Sequence, residues 1–150
     1  MATLDSLYQD LILDHNRRPR NYGALENANR QAAGNNPLCG DRLTVWLRVD
    51  GEKIEEVSFE GSGCAITRAS ASLMTTSVKG KTRQEAEALL DRFHRLVTGL
   101  LPPDEVQALG KLAAFQDVSQ FPVRIKCATL SWHALKAALA EERAPVITTE

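Results

Sequence analysis

The residues best equipped for chemistry are three cysteines, and each stands at an irregular junction of the chain. Cys39 lies in Asn36-Pro37-Leu38-Cys39-Gly40-Asp41, just before an expected strand. Cys64 follows Gly61-Ser62-Gly63, between a strand and a helix, and Cys127 follows Pro122-Val123-Arg124-Ile125-Lys126, just before the last helix. An odd number of cysteines cannot all pair within one chain, so the uses left are a small buried hydrophobe, a reactive thiol or a metal ligand. At a helix N-terminus, free N–H groups and a partial positive charge favour a thiolate, and Cys64 and Cys127 are both expected there. Arg124 and Lys126 add positive charge beside Cys127. The glycines around Cys39 and Cys64 permit close backbone approach to a ligand, and Asp41 shares a site with Cys39 if the loop turns between them. No CxxC pair is present, so the short-range zinc signature is missing and the reading of the cysteines as core residues stays open.

The three histidines are weaker candidates. His15, His94 and His133 each sit within an expected helix, none beside a cysteine, and they read as structural or solvent-facing. The chain contains no GxSxG, HExxH, GxxxxGK[ST] or GxGxxG motif.

Those junctions need elements to position them. A chain of 150 residues argues for one domain. Leu4, Leu7, Leu11 and Ile12 recur at helical spacing and predict a helix from about Asp5 to Asn16. Pro19 to Leu38 reads as loop with a short strand near Arg30–Ala33. Leu43, Val45, Leu47 and Val49 alternate with polar neighbours and predict a strand with one buried face, followed by a hairpin turn at Asp50-Gly51 and a second strand, Ile54 to Phe59. After Cys64, a face of mostly small residues (Ile66, Ala69, Ser70, Leu73, Met74) predicts a closely packed helix that Lys79-Gly80-Lys81 ends. Thr82 with Glu85 forms a capping box for an amphipathic helix through Val97. A shorter helix is expected near Asp104–Leu109, a break at Phe121-Pro122, a final helix from Cys127 to Glu142, and a flexible tail over 144–150. The pattern is α+β, a small antiparallel sheet followed by helices.

Composition excludes several classes. Lys plus Arg is 18 against 19 for Asp plus Glu, a net charge of -1, which lacks the basic character of most nucleic-acid binders. Aromatic residues are 5%, too few for a base-stacking platform. No apolar run reaches membrane-spanning length, and the N-terminus lacks a secretory pattern. The expectation is a cytoplasmic protein with no nucleic-acid or membrane partner.

The cysteine segments, with Ala69-Ser70-Ala71-Ser72-Leu73-Met74, Val78-Lys79-Gly80-Lys81 and the upstream His15-Asn16-Arg17-Arg18-Pro19-Arg20-Asn21-Tyr22-Gly23, resemble the IscU/SufU/NifU N-terminal family over nearly the whole chain. Lys126 stands where IscU-type scaffolds carry a His before the third cysteine. Gln120-Phe121-Pro122-Val123-Arg124 replaces the Leu-Pro-Pro-Val-Lys segment that recruits an Hsp70-type chaperone, so no such partner is expected. The stretch from Lys81 to Cys127 is also longer than in IscU, and all three departures look like the SufU branch.

The resemblance implies a three-stranded antiparallel sheet with helices packed on it, and work in iron–sulfur cluster biogenesis. It implies a zinc-bound sulfur acceptor in which Cys39, Asp41, Cys64 and Cys127 hold the metal and Cys39 takes persulfide sulfur from a SufS-type cysteine desulfurase. A set of three sulfurs and one oxygen suits tetrahedral zinc. Deprotonating an ordinary thiol at pH 7 costs about 2 kcal/mol, whereas structural zinc contributes on the order of 10–16 kcal/mol. A carboxylate suits zinc less well than a thiolate, which makes Asp41 the expected labile ligand. Two alternatives remain. One is a scaffold that assembles a transient [2Fe–2S] cluster on the same residues, with Cys39, Cys64 and Cys127 as cluster ligands, and passes it to a Suf scaffold or apo iron–sulfur proteins. The other is a structural zinc interaction domain.

Overall fold

The computed structural model describes residues 4–37, 39–140 and 146–148, with side chains over 9–37 and 39–140. Helix α1 (Leu4–Arg17) leads into strands β1 (Arg30–Asn36), β2 (Asp41–Asp50) and β3 (Lys53–Ser62). Helices α2 (Ala65–Val78), α3 (Arg83–Val97) and α4 (Pro103–Ala108) follow, then a 3-10 helix over Gly110–Gln120, helix α5 (Pro122–Leu139) and strand β4 (Val146–Thr148). The sheet order is β3-β2-β1-β4. Strands β1 and β3 each run antiparallel to β2 between them, and helices pack on the sheet. Leu43, Val45, Leu47 and Val49 of β2 are buried, and Arg42 and Asp50 are exposed.

Several boundaries differ from the sequence reading: β3 runs to Ser62 rather than ending at Phe59, α5 ends at Leu139 rather than Glu142, and two further differences bear on the site. Strand β1 runs on to Asn36, so the β1–β2 connection is a tight hairpin closed by the pair Asn36 and Asp41. Helix α5 begins at Pro122, five residues before the expected start at Cys127. A proline has no N–H to donate, and the first helical position needs none, so Pro122 starts the helix rather than breaking the chain.

Of the 144–150 stretch expected as a flexible tail, Val146–Thr148 is described, and its backbone pairs in parallel with Ala33–Asn35 of β1. Val, Ile and Thr have high strand propensity, and β1 offers them an unpaired edge. The rest of that stretch, and Glu142 at the expected end of the last helix, lie outside the described residues.

The small residues of α2 pack closely and also carry hydrogen bonds. Ser70 Oγ donates to the Ala128 carbonyl at 2.5 Å and accepts from Trp132 Nε1 at 3.2 Å, joining α2 to α5. Ser72 Oγ meets His15 Nδ1 at 2.7 Å and accepts the Arg20 N–H at 2.8 Å, joining α2 to α1. His15 is therefore a buried structural residue. Its pKa lies below the ordinary 6.5, through burial first and Arg20 second, with Asp14 opposing.

The long stretch between Lys81 and Cys127 supplies a second part of the core. The Thr82–Glu85 capping box forms with both of its bonds. Phe93 of α3 stacks on Trp132 with centroids 4.7 Å apart, and Phe115 of the 3-10 helix meets Phe93 edge-on at 5.6 Å. All three rings are buried. Burying a Phe side chain contributes roughly 1.5–3 kcal/mol, so this stretch is a structural extension that braces α5.

Candidate metal centre

The site forms at the end of the sheet where the β1–β2 hairpin meets the N-terminus of α2 and the second turn of α5. The hairpin explains half of it. Gly40 adopts φ +71°, a left-handed conformation that lets the chain reverse between Cys39 and Asp41. Cys39, half-buried, lies in the turn, with its N–H bonded to the Asn36 carbonyl at 3.2 Å. Asp41 opens β2 and is 1% exposed. A ligand atom from each of Cys39, Asp41 and Cys127 lies within 4.8 Å of the other two.

Cys64 stands beside this trio rather than inside it. It is the N-cap of α2, as its sequence position predicts. Its backbone N–H donates to Asp41 Oδ1 at 3.1 Å, while its sulfur lies 3.4 Å from Thr67 Oγ1. Burial alone would raise the Cys64 thiol, but hydrogen bonds from the Thr67 hydroxyl, the Thr67 backbone and Cys127 hold it below its ordinary value.

Cys127 corrects the sequence reading. It is fully buried inside α5, not at the N-terminus of a helix. The dipole argument for an easy thiolate therefore does not hold there. Burial pushes the Cys127 thiol well up, and the neighbouring Asp41, Cys39 and Cys64 push it further. Arg124, in the first turn of α5, is the cation that meets the sulfurs. Its hydrogen bond to Cys127, with the charges of Cys64, Cys127 and Cys39, raises its own pKa. Of the two cations expected to offset the site's charge, the structure ties Arg124 to the thiols.

The sequence reading makes Asp41 the labile ligand; in the structure both of its oxygens accept hydrogen bonds. Oδ1 takes the Cys64 N–H, and Oδ2 takes Asn36 Nδ2 at 3.3 Å. Gly63 leaves room for this, since a Cβ there would come within 2.6 Å of Asp41 Oδ1. Cys39 is the less constrained of the two.

Asn36 is a residue to which sequence reasoning assigned no role of its own, and Gly63, expected to permit close approach to a ligand, instead makes room for the Asp41 carboxylate. The signal for Asn36 is the hairpin register: once it pairs with Asp41, the two side chains fall on one face at the mouth of the turn. The donor set fits a borderline-soft cation of zinc's kind, whose tetrahedral ligands stand about 3.3–3.8 Å apart when each is about 2.0–2.3 Å from the metal. The ligand atoms of Cys39, Asp41 and Cys127 lie within 4.8 Å of one another, with Cys64 adjoining. His94 and His133 lie elsewhere, on α3 and α5, with ring centroids 6.2 Å apart.

Comparison with known proteins supplies a context for this cluster. The description of the NifU-like N terminal domain matches residues 7–128. The chain is 45% identical over 141 residues to the zinc-dependent sulfurtransferase SufU of Bacillus subtilis, covering 94% of this chain and 95% of that protein. It is 41% identical over 139 residues to the iron–sulfur cluster assembly scaffold protein IscU of Streptococcus pyogenes, covering 93% and 86%. Among solved structures, a candidate iron–sulfur cluster assembly scaffold protein for the SUF system of Fervidobacterium islandicum superposes with a TM-score of 0.81 at 37% identity, covering 91% of this chain and 99% of that one. Among the described residues, no helix is long and apolar enough to cross a membrane.

Proposed function

Because the chain belongs to the NifU-like N-terminal domain family, we propose that it serves iron–sulfur cluster assembly as a zinc-bound sulfur acceptor, with Cys39 receiving persulfide sulfur from a cysteine desulfurase. The observation that carries this reading is the convergence of Cys39, Asp41 and Cys127 within 4.8 Å, with Cys64 hydrogen-bonded to Asp41 beside them. The zinc-dependent sulfurtransferase activity of the Bacillus SufU relative points the same way.

Cys39, Asp41, Cys64 and Cys127 would hold the zinc. When bound, zinc supplies a positive charge that keeps the thiols ionised at neutral pH. The remaining chemistry belongs to the chain. The Cys39 thiolate attacks the outer sulfur of the desulfurase persulfide. One S–S bond forms on Cys39 as the partner's S–S bond breaks, and the partner cysteine leaves as its thiolate, so no net oxidant is needed. Cys39 suits the role because it lies in the turn beside Gly40, half-buried, whereas Cys127 is enclosed in α5. Arg124 places a positive charge where the thiolates gather.

The test is to purify the protein without added metal, measure zinc, and then measure sulfide release by a SufS-type desulfurase with and without it. One zinc per chain and stimulated turnover are expected. A second reading, assembly of a [2Fe–2S] cluster on the same residues, draws on the IscU name of the Streptococcus relative. Iron and acid-labile sulfide in freshly purified protein, with no zinc, would establish it instead. A purely structural zinc site is disfavoured by Asp41, since structural sites usually use Cys and His.

A further inference from the structure

Asn36 is fully buried at the end of β1, opposite Asp41 in the ladder. Its Nδ2 donates to Asp41 Oδ2 at 3.3 Å and to Cys127 Sγ at 3.6 Å. The amide cannot be turned over, because an ionised carboxylate only accepts hydrogen bonds and must face the NH2 group. That orientation leaves Asn36 Oδ1 buried without a hydrogen-bond partner. An unpaired buried acceptor costs about 1–3 kcal/mol. An apolar residue would avoid that cost, so the observation points to the NH2 group as the part that the site uses.

We propose that Asn36 is a positioning residue that fixes Asp41 and Cys127 as retained metal ligands and so leaves Cys39 as the ligand free to depart and accept sulfur. This rests on the metal-bound reading above. The asymmetry among the ligands is plain. Asp41 is gripped at both oxygens, by Asn36 and by the Cys64 N–H. Cys127 is held by the backbone of α5 and by the same Asn36 amide. Cys39 has the turn bond from its own N–H to the Asn36 carbonyl and then the reversal at Gly40. When Cys39 swings toward a partner's persulfide, the amide keeps the other two donors at their spacing. A hydrogen bond to the Cys127 sulfur also disperses the negative charge of its thiolate, so that this sulfur is held in the cluster while Cys39 leaves.

The experiment uses the full chain and three variants, Asn36→Ala, Asn36→Ser and Asn36→Asp, the last isosteric but without the N–H donors when ionised. Zinc affinity is read by chelator competition, ligand geometry by the visible spectrum of the cobalt-loaded protein, and folding by melting of the metal-free protein. Losing an outer-shell partner should weaken zinc about 10–100-fold, and the cobalt bands should shift as Asp41 loosens. A merely structural role would lower the melting temperature and leave the cobalt spectrum of the folded fraction unchanged, and that result overturns the proposal. So does wild-type zinc affinity in whichever of the variants fold. If the wild-type chain takes up no zinc, the metal-bound reading fails and this inference with it. Zinc in the wild type with unaltered variants sinks the inference alone.

Discussion

Replacing Gly63 by Ala adds one methyl group at the point where the α2 N-terminus leans on Asp41. The new Cβ would lie 2.6 Å from Asp41 Oδ1, 3.1 Å from its Cγ and 3.2 Å from Thr67 Cβ. Gly63 is not among the residues with positive φ, so Ala meets no backbone strain there. Reduced freedom of the unfolded chain would by itself stabilise the protein by about 0.4–1 kcal/mol. Against this, restoring ordinary contact moves the carboxylate by about 0.8 Å, which carries the bond to the Cys64 N–H beyond hydrogen-bonding distance. A hydrogen bond to a charged group contributes about 1.5–3 kcal/mol. The difference is a net loss of about 1–2 kcal/mol, or roughly 2–8 °C in Tm for a chain of this size. Thermal melts of metal-free wild type and Gly63→Ala measure it directly, and chelator competition should show zinc held about 10–100-fold more weakly. A Tm equal to or above wild type would refute the account of Asp41 as a residue clamped against α2.

Other consequences are as direct. Metal-free Cys39→Ser should melt within about 0.5 kcal/mol of metal-free wild type, as a turn residue outside the core does, yet the variant should fail to accept sulfur, as read by mass spectrometry after incubation with desulfurase and cysteine. Ser70→Ala leaves the buried Trp132 N–H without its acceptor, which should cost about 1–3 kcal/mol in urea unfolding. Protonation of His15 is disfavoured in the fold, so the unfolded chain binds a proton that the native one does not. Stability should be full above about pH 6.5 and fall as pH drops toward the folded value. His133 acts in the same sense, so His15→Gln should flatten the slope in part, as urea melts at several pH values would record. Zinc binding should release protons, most of all from Cys127, whose burial holds its proton on, and calorimetry in buffers of different ionisation enthalpy measures that release.

Local signals carried the reading of the sheet and of α3. The alternation from Leu43 to Val49 depends only on neighbours, and so does the Thr82–Glu85 box. The 3-10 helix escaped, because Leu112, Ala113, Ala114, Phe115 and Val118 are buried with no clean 3.6-residue period. Pro122 was legible as punctuation but not as to which side of it the helix lies. That single ambiguity moved Cys127 from a helix tip to a helix interior and reversed the expected sense of its thiol. At the site, the ligand types were visible in the motifs. The grip on Asp41 was not, because it depends on the β1–β2 register and on the approach of Gly63, which join residues 22 positions apart. Arg20 is a further case: its pairing with Asp14 at 2.6 Å and the bond from its N–H to Ser72 show that the segment read as a loop is tied to α1 and α2.

Both edges of the three-stranded antiparallel part of the sheet are covered over part of their length by the chain itself. On one side Val146–Thr148 lies along β1. On the other, Phe59 of β3 exchanges hydrogen bonds with Asn21 and Gly23, and Ile54 does so with Gly80 and Lys81. A visiting protein that recognised this one by strand addition to β1, or to β3 at Ile54 or Phe59, would first have to peel away one of these segments. The same covering narrows the template that β1 and β3 would offer for edge-to-edge stacking.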